Sequence, residues 1–157
     1  MGGKIIIEHG VTLRGDLHRD GSKSPIIAIG RYCILDANCS VTPPRKKSSS
    51  TGQDTNYPVK IGSYVHIGQN SSVQAASIGN CVVIGKDCTV GMFSIIKDCV
   101  KIDDGAVIPP FSVIAPFTHV KGSPPNQMTS ELPESADQLI ELSLRKMYTG
   151  IHVPEIF

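Results

Sequence analysis

From Ile29 onward an aliphatic residue returns every six positions: Ile29, Leu35 and Val41, then, after an interruption, Ile61, Ile67, Val73, Ile78, Ile84, Val90, Ile96, Ile102, Ile108, Ile114 and Val120. The beat slips once, to five, between Val73 and Ile78. Four places after each beat the residue is small or β-branched: Cys33, Cys39, Val65, Ser71, Ser77, Val82, Cys88, Ser94, Val100, Ala106, Ser112 and Thr118. Glycine follows the beat directly at Gly30, Gly62, Gly68, Gly79, Gly85 and Gly91. Six is not a near multiple of the roughly 3.6-residue helical turn, so an amphipathic helix cannot produce this pattern. Short strands with alternating side chains, separated by tight turns, can.

This pattern resembles the hexapeptide-repeat family. The resemblance implies an all-β fold, a left-handed parallel β-helix shaped as a triangular prism, in which three six-residue sides make one coil. The hand comes from the resemblance alone, since the usual rule for parallel crossovers favours the opposite one. In such a prism the beat residue and the small residue four later both point inward, and coils stack at roughly 4.8 Å. Residues 4–123 are expected to form the β-helix, with loops near 17–26 and 43–58. Residues 124–157 form a C-terminal segment in which the acids Glu131, Glu134 and Asp137, and later Arg145 and Lys146, suit the two ends of a helix at about 133–148. Its apolar face comprises Ala136, Leu139, Ile140 and Met147. Five cysteines without a Cys-x-x-Cys pair make neither a disulfide framework nor a zinc knuckle. Cys33, Cys39 and Cys88 read instead as compact inward fillers.

Counting sides from Leu13 puts the two insertions and the five-residue step at one corner of the prism. Residues three places after the beat mark the turns, and they sort by corner. One corner carries Asn38, Asn70, Asp87 and Gly105, residue types suited to an exposed left-handed turn. The corner with the insertions carries Pro44, Ala76, Phe93 and Phe111, and the third carries Tyr32, Tyr64, Cys81, Cys99 and Phe117. Apolar columns on two corners predict contact with protein, with Tyr32, Tyr64, Phe93, Phe111 and Phe117 as candidate interaction residues. Phe111 and Phe117 are equally placed to lie under the chain's own C-terminal segment.

Fifteen basic and 14 acidic side chains leave a net charge of +1 and only one short basic cluster, Arg45 to Lys47, which argues against nucleic-acid binding. No apolar run approaches the roughly 20 residues of a membrane-spanning helix, and "MGGKIIIEHG" lacks the features of a signal peptide, so a cytosolic protein without direct membrane insertion is expected.

Within the hexapeptide relatives, "LRGD", "IAIGRYCILDANCSVTP" and "IGSYVHIGQNSSVQAASIG" resemble the γ-class carbonic anhydrase branch, whose members bind zinc through three histidines at a subunit boundary. The ligand positions of that family fall on Thr42, Gln69 and Gln74, and the residue that orients the metal-bound water falls on Asp36. A hydroxyl and two neutral amides are poor zinc ligands beside imidazole, so neither metal nor cofactor is expected. His66 and His119 share a face but lie three coils apart, about 14 Å, too far to share a metal. Each is expected to be solvated. The acyltransferase alternative would use a loop histidine as general base, for which His18 is the candidate.

The series "KDC", "IPP", "APF", "GSP" and "ELPE", followed by a helix, resembles the β-helix subunits of the dynactin pointed-end complex, and specifically the smaller-numbered of the two. "LRGD", "VTPP" and "QAASIG" agree. The chain departs from that pattern in a late start, which leaves Ile5 and Ile7 to close the first coil, and in a longer Ser- and Lys-containing insertion. The resemblance implies a non-enzymatic structural subunit of a cytoplasmic, microtubule- and dynein-associated complex, serving cargo and endosome transport. Its implied partners are the second β-helix subunit (dynactin subunit 6), the actin-related protein of the pointed end, dynactin subunit 4 and cargo adaptors. The alternatives are a γ-carbonic anhydrase-like enzyme with a degenerate site, and a hexapeptide acyltransferase.

Overall fold

A strand of two or three residues cannot hold itself together, and here each is held by its counterparts one coil below and one coil above. The computed structural model describes residues 4–17, 25–47, 50, 52, 54–124 and 127–148. The first face of the prism stacks Ile5–Ile7, Cys33–Leu35, His66–Ile67, Val83–Ile84, Lys101–Ile102 and Thr118–Lys121 in parallel, and Met128–Glu131 then adds antiparallel to the last of them. The second face stacks Thr12–Leu13, Ser40–Val41, Ser72–Val73, Thr89–Val90 and Val107–Ile108. The third stacks Ile27–Ile29, Val59–Ile61, Ser77–Ile78, Ile95–Ile96 and Val113–Ile114. Parallel sheets closed on three sides make this the parallel β-helix that the hexapeptide-repeat resemblance implies.

Register converts the beat into geometry. Ile84 lies opposite Ile102, 18 residues on, whereas Ile67 lies opposite Ile84, only 17 on. The five-residue step therefore shortens one turn without moving any aliphatic residue out of its column. Ala75 takes the buried place on that turn, and Ser77, expected to point inward, instead starts a strand opposite the exposed Lys60. All three irregularities, Leu13 to Ile27, Val41 to Val59 and Val73 to Ser77, join the second face to the third. The longer insertion is more than a loop: Arg45–Lys47 pairs antiparallel with Asp54–Asn56, and Arg45 lies 3.9 Å from Asp54. Nothing in the apolar periodicity marked this hairpin, because its side chains are polar.

The beat residues form one continuous core in which Leu35, Ile67, Ile84, Ile96 and Ile102 are at most 1% exposed. Several small inward side chains donate their proton to a carbonyl of the next coil, while Ser94 and Ser112 donate within their own, to Gly91 O and Pro109 O. Ser71 Oγ reaches Gly85 O at 2.6 Å, Cys33 Sγ reaches Gly62 O at 3.2 Å, and Cys88 Sγ reaches Asp103 O at 3.0 Å. Polar atoms are thus tolerated in the prism because each is satisfied.

The turns carry the strain. From Ile29 to Ile114, except at Pro44 and Ala76, where the longer insertion and the five-residue step fall, the third residue after the beat has positive φ, as at Tyr32 (56°), Asn70 (58°), Cys81 (58°), Phe93 (61°) and Phe117 (57°). The glycines that follow the beat have a different reason: a Cβ on Gly68 would meet only Gly85 backbone and Lys86 N, the latter at 2.8 Å. Between these positions a side chain of one coil caps the N–H of the coil before it, as when Asn80 Oδ1 accepts from Ser63 N and Asp98 Oδ1 from Asn80 N, both at 2.8 Å.

Gly68→Ala is expected to cost about 3 kcal/mol of unfolding free energy in urea denaturation, because rigid backbone must move aside. Gly15→Ala, where an added Cβ meets nothing within 4 Å, should stay within about 0.5 kcal/mol of the parent.

Candidate functional site

Thr42 and Gln74 follow paired residues, Val41 and Val73, and so stand in neighbouring coils at the end of the second face. Gln69 is exposed at the corner between the first and second faces, one residue before the left-handed Asn70. Their backbones serve the coil ladder: Thr42 N donates to Val73 O at 2.9 Å and Gln74 N to Val90 O at 3.0 Å. A threonine hydroxyl and two amides do not fit zinc, and among the described residues no group of three or more His, Cys, Asp or Glu is arranged to hold a metal ion.

Asp36 has a different employment. His66 Nε2 lies 2.8 Å from Asp36 Oδ2, and His119 Nε2 lies 2.5 Å from Asp103 Oδ1. The geometry is the same twice. His66 stands one coil above Ile34, two residues before Asp36, and His119 stands one coil above Lys101, two residues before Asp103. These histidines, expected to be solvated, are half-buried partners in diagonal cross-strand pairs. The register of His66 with Val83, Val83 with Lys101 and Lys101 with His119 keeps them three coils apart. His18 lies outside the described residues.

The helix runs over Ala136–Tyr148 and decides which apolar corner is open. It lies against the corner between the third and first faces, burying Ile140 and Leu144 on Ile34, Cys81 and Cys99, with Tyr64, Val83, Phe117 and Met147 at the margin. Leu144 completes the four-residue spacing Ala136, Ile140, Leu144, a signal already present in the sequence and absent from the expected apolar face. Tyr32 and Tyr64 stack 5.2 Å apart at 6° on this same corner. Arg145 lies over both rings and donates Nη2 to Tyr64 Oη at 2.6 Å. Three of the five aromatic candidates, Tyr32, Tyr64 and Phe117, are therefore engaged by the chain's own helix, which by itself accounts for their apolar character.

Phe93 and Phe111 lie on the other corner. Their rings stack 5.4 Å apart at 8°, Tyr57 packs edge-on to Phe93 at 5.4 Å, and Phe111 is 73% exposed. Among the described residues the C-terminal segment does not cover Phe111; its helix is committed to the corner of Tyr32 and Tyr64. Tyr57, Met92, Phe93 and Phe111, with the exposed Arg45, Lys46 and Lys47 of the hairpin, line an open groove of about 450 Å³. Tyr57 and the hairpin were not legible as part of this surface, since they fall inside the insertion and outside the beat.

A three-faced parallel coil with inward aliphatic columns defines the class, the left-handed β-helix of hexapeptide-repeat proteins. A hexapeptide transferase family protein from Anaplasma phagocytophilum matches 95% of this chain and 77% of its own length, with a TM-score of 0.73 and 18% identity. A UDP-N-acetylglucosamine O-acyltransferase from Moraxella catarrhalis matches 90% of this chain and 57% of its own, with a TM-score of 0.55 and 17% identity. At such identities the likeness shows the fold alone. The family model for Dynactin subunit 5 matches residues 1–155, and the chain belongs to that family. A Dynactin subunit 5 of Dictyostelium discoideum is 37% identical over 78 residues, half of this chain and 35% of that protein. The Bifunctional protein GlmU of Ruthia magnifica is 41% identical over 96 residues, 61% of this chain but 17% of GlmU. The matched stretch thus spans about a third of the Dictyostelium protein and about a sixth of GlmU.

Leu144→Ala should destabilise the protein by about 3 kcal/mol, since a fully buried leucine is truncated, and should raise the rate at which Cys81 and Cys99 are alkylated by iodoacetamide. Burial pushes the Cys81 thiol up to about 12, with Cys99, Glu141 and Asp137 adding to the effect. The unfolded thiol ionises near 9. The folded state therefore holds its proton longer, so this contribution is complete below pH 9 and is lost as pH rises from 9 toward 12. Unfolding free energies measured between pH 9 and 10.5 should fall by up to about 1.4 kcal/mol per pH unit for this thiol, and Cys81→Ala should remove that share of the slope.

Proposed function

We propose that this chain is a non-enzymatic structural subunit of the dynactin pointed-end complex, supporting dynein-dependent transport of cargo and endosomes in the cytoplasm. The match to Dynactin subunit 5 along nearly the whole chain carries this reading. The geometry agrees in two respects. The positions that bear metal ligands in the γ-class enzymes hold Thr42, Gln69 and Gln74, and an aromatic column flanked by lysines lines an open groove. Among the described residues no helix is long and apolar enough to cross a membrane.

The Phe93 and Phe111 column is the surface through which the second β-helix subunit, dynactin subunit 6, is engaged in this reading. The actin-related protein, dynactin subunit 4 and cargo adaptors complete its neighbourhood. Flat stacked rings with an exposed edge suit a partner that buries them, which is where aromatic residues contribute most to association.

Affinity isolation of the tagged chain from cells is expected to recover dynactin components in stoichiometric amounts, and recovery of none would refute the proposal. Replacing Phe93 and Phe111 together by Glu should lower recovery of subunit 6 at least tenfold, about 1.4 kcal/mol, while the melting temperature stays close to that of the parent. Metal analysis of the purified chain should give less than about 0.1 zinc per molecule, against near-stoichiometric zinc for a working hydratase site.

A further inference from the structure

The coil ladder has a direction, and its last rung is unfinished on one face. On the third face the N–H groups of each coil donate to carbonyls of the next: Gly62 N to Ile78 O, Gly79 N to Ile96 O, then Ile95 N to Ser112 O at 2.8 Å and Lys97 N to Ile114 O at 3.0 Å. The donors that come next are Val113 N and Ala115 N, and among the described residues neither has an acceptor.

The other two faces of the same coil are closed by the chain itself. On the first face, Met128–Glu131 pairs with Thr118–Lys121. On the second, Val107 N donates to Gly122 O, Gln127 Nε2 donates to Val107 O at 2.8 Å, and the position that would offer a further donor is Pro109, which has none. Chains that manage two edges in this way leave a third for a reason, because an open strand edge is a template for pairing. The edge is also apolar and accessible: Val113 is 64% exposed, Phe111 beside it is 73% exposed, and Ile114 beneath is 9% exposed whereas Ile96 and Ile78 below it are 1%.

We propose that the edge Val113–Ala115 receives an extended segment of a partner polypeptide, which continues the third face by one strand. This rests on the reading of the chain as a dynactin component. Backbone N–H donors in strand register call for backbone carbonyls in the occupant, and Val113 and Phe111 call for an apolar side chain over them. The basic hairpin, with Lys46 and Lys47 exposed beside Phe111, calls for an acidic residue at the end of the segment nearest the corner. Pairing of this edge with the same edge of a second copy answers none of the charge: the stretch "PPFSVIAP" from Pro109 to Pro116 carries no acid, and its prolines leave a strand too short to pair strongly with itself.

Amide hydrogen exchange on the 109–117 segment tests this, in the isolated full-length chain and in dynactin isolated through it. The Val113 and Ala115 amides should exchange rapidly in the isolated chain, independently of concentration, and at least 100-fold more slowly within the complex. Val113→Lys, which keeps the N–H but puts a charge where the apolar side chain sits, should return at least tenfold of that protection without lowering the melting temperature. Equal exchange in the two states overturns the inference while leaving complex membership intact. Slow exchange in the isolated chain also overturns it, whether concentration-independent, meaning that the chain covers its own edge, or concentration-dependent, meaning that a second copy does. Failure to recover dynactin at all removes the reading on which it rests, and the inference with it.

Discussion

Everything in this molecule depends on the hydrogen bonds that run from each coil to the next. A two-residue strand such as His66–Ile67 has no stability alone; it exists because Ile34 N, His66 N and Val83 N donate in turn to Val65 O, Val82 O and Val100 O, each at 2.9 Å. Coils held at that spacing leave no room for a Cβ where backbones cross, which makes glycine obligatory at Gly68, and they force inward side chains into columns of like size. One aliphatic residue and one small residue per side is the packing that such a narrow prism accepts.

The same turns that close each coil place non-glycine residues in the left-handed region, at a cost of about 1 kcal/mol each. Asn38, Asn70, Asp87 and Gly105 lower that cost at the corner facing solvent. At the other two corners aromatic residues and cysteines accept it, and contact between successive turns repays it: the Tyr32–Tyr64 and Phe93–Phe111 rings stack because consecutive coils present them in register. A column of this kind is half of an interface. The helix supplies the other half at one corner; at the second, beside Lys46 and Lys47, the Phe93 and Phe111 column has no such cover among the described residues.

The architecture was legible because its cause is local and repeats. Ile84, Ile96 and Ile102 each announce the same inward position, the step from Val73 to Ile78 shows the short coil, and counting sides puts the insertions at one corner. Thr42, Gln69 and Gln74 could likewise be read against the pattern of the metal-binding relatives. Contacts between elements distant in the sequence were not legible. Asp36 finds His66 thirty residues away across a coil boundary, Tyr57 reaches Phe93 from inside an insertion with no periodicity, and the polar strands Arg45–Lys47 and Asp54–Asn56 pair without any apolar alternation to mark them.

By itself, then, the sequence determined the stack of short strands, since a six-residue alternation of aliphatic, small and glycine positions suits no helix, and residue by residue it determined the donor set at Thr42, Gln69 and Gln74, while the left-handed prism came from the family resemblance. Only the tertiary structure decided which apolar corner is spent and which is free. Both corners carry similar residues, and the choice between them rests on where one helix docks. That docking is fixed by Ile140 and Leu144 meeting Ile34, Cys81 and Cys99, a match of surfaces between parts of the chain that share no periodicity.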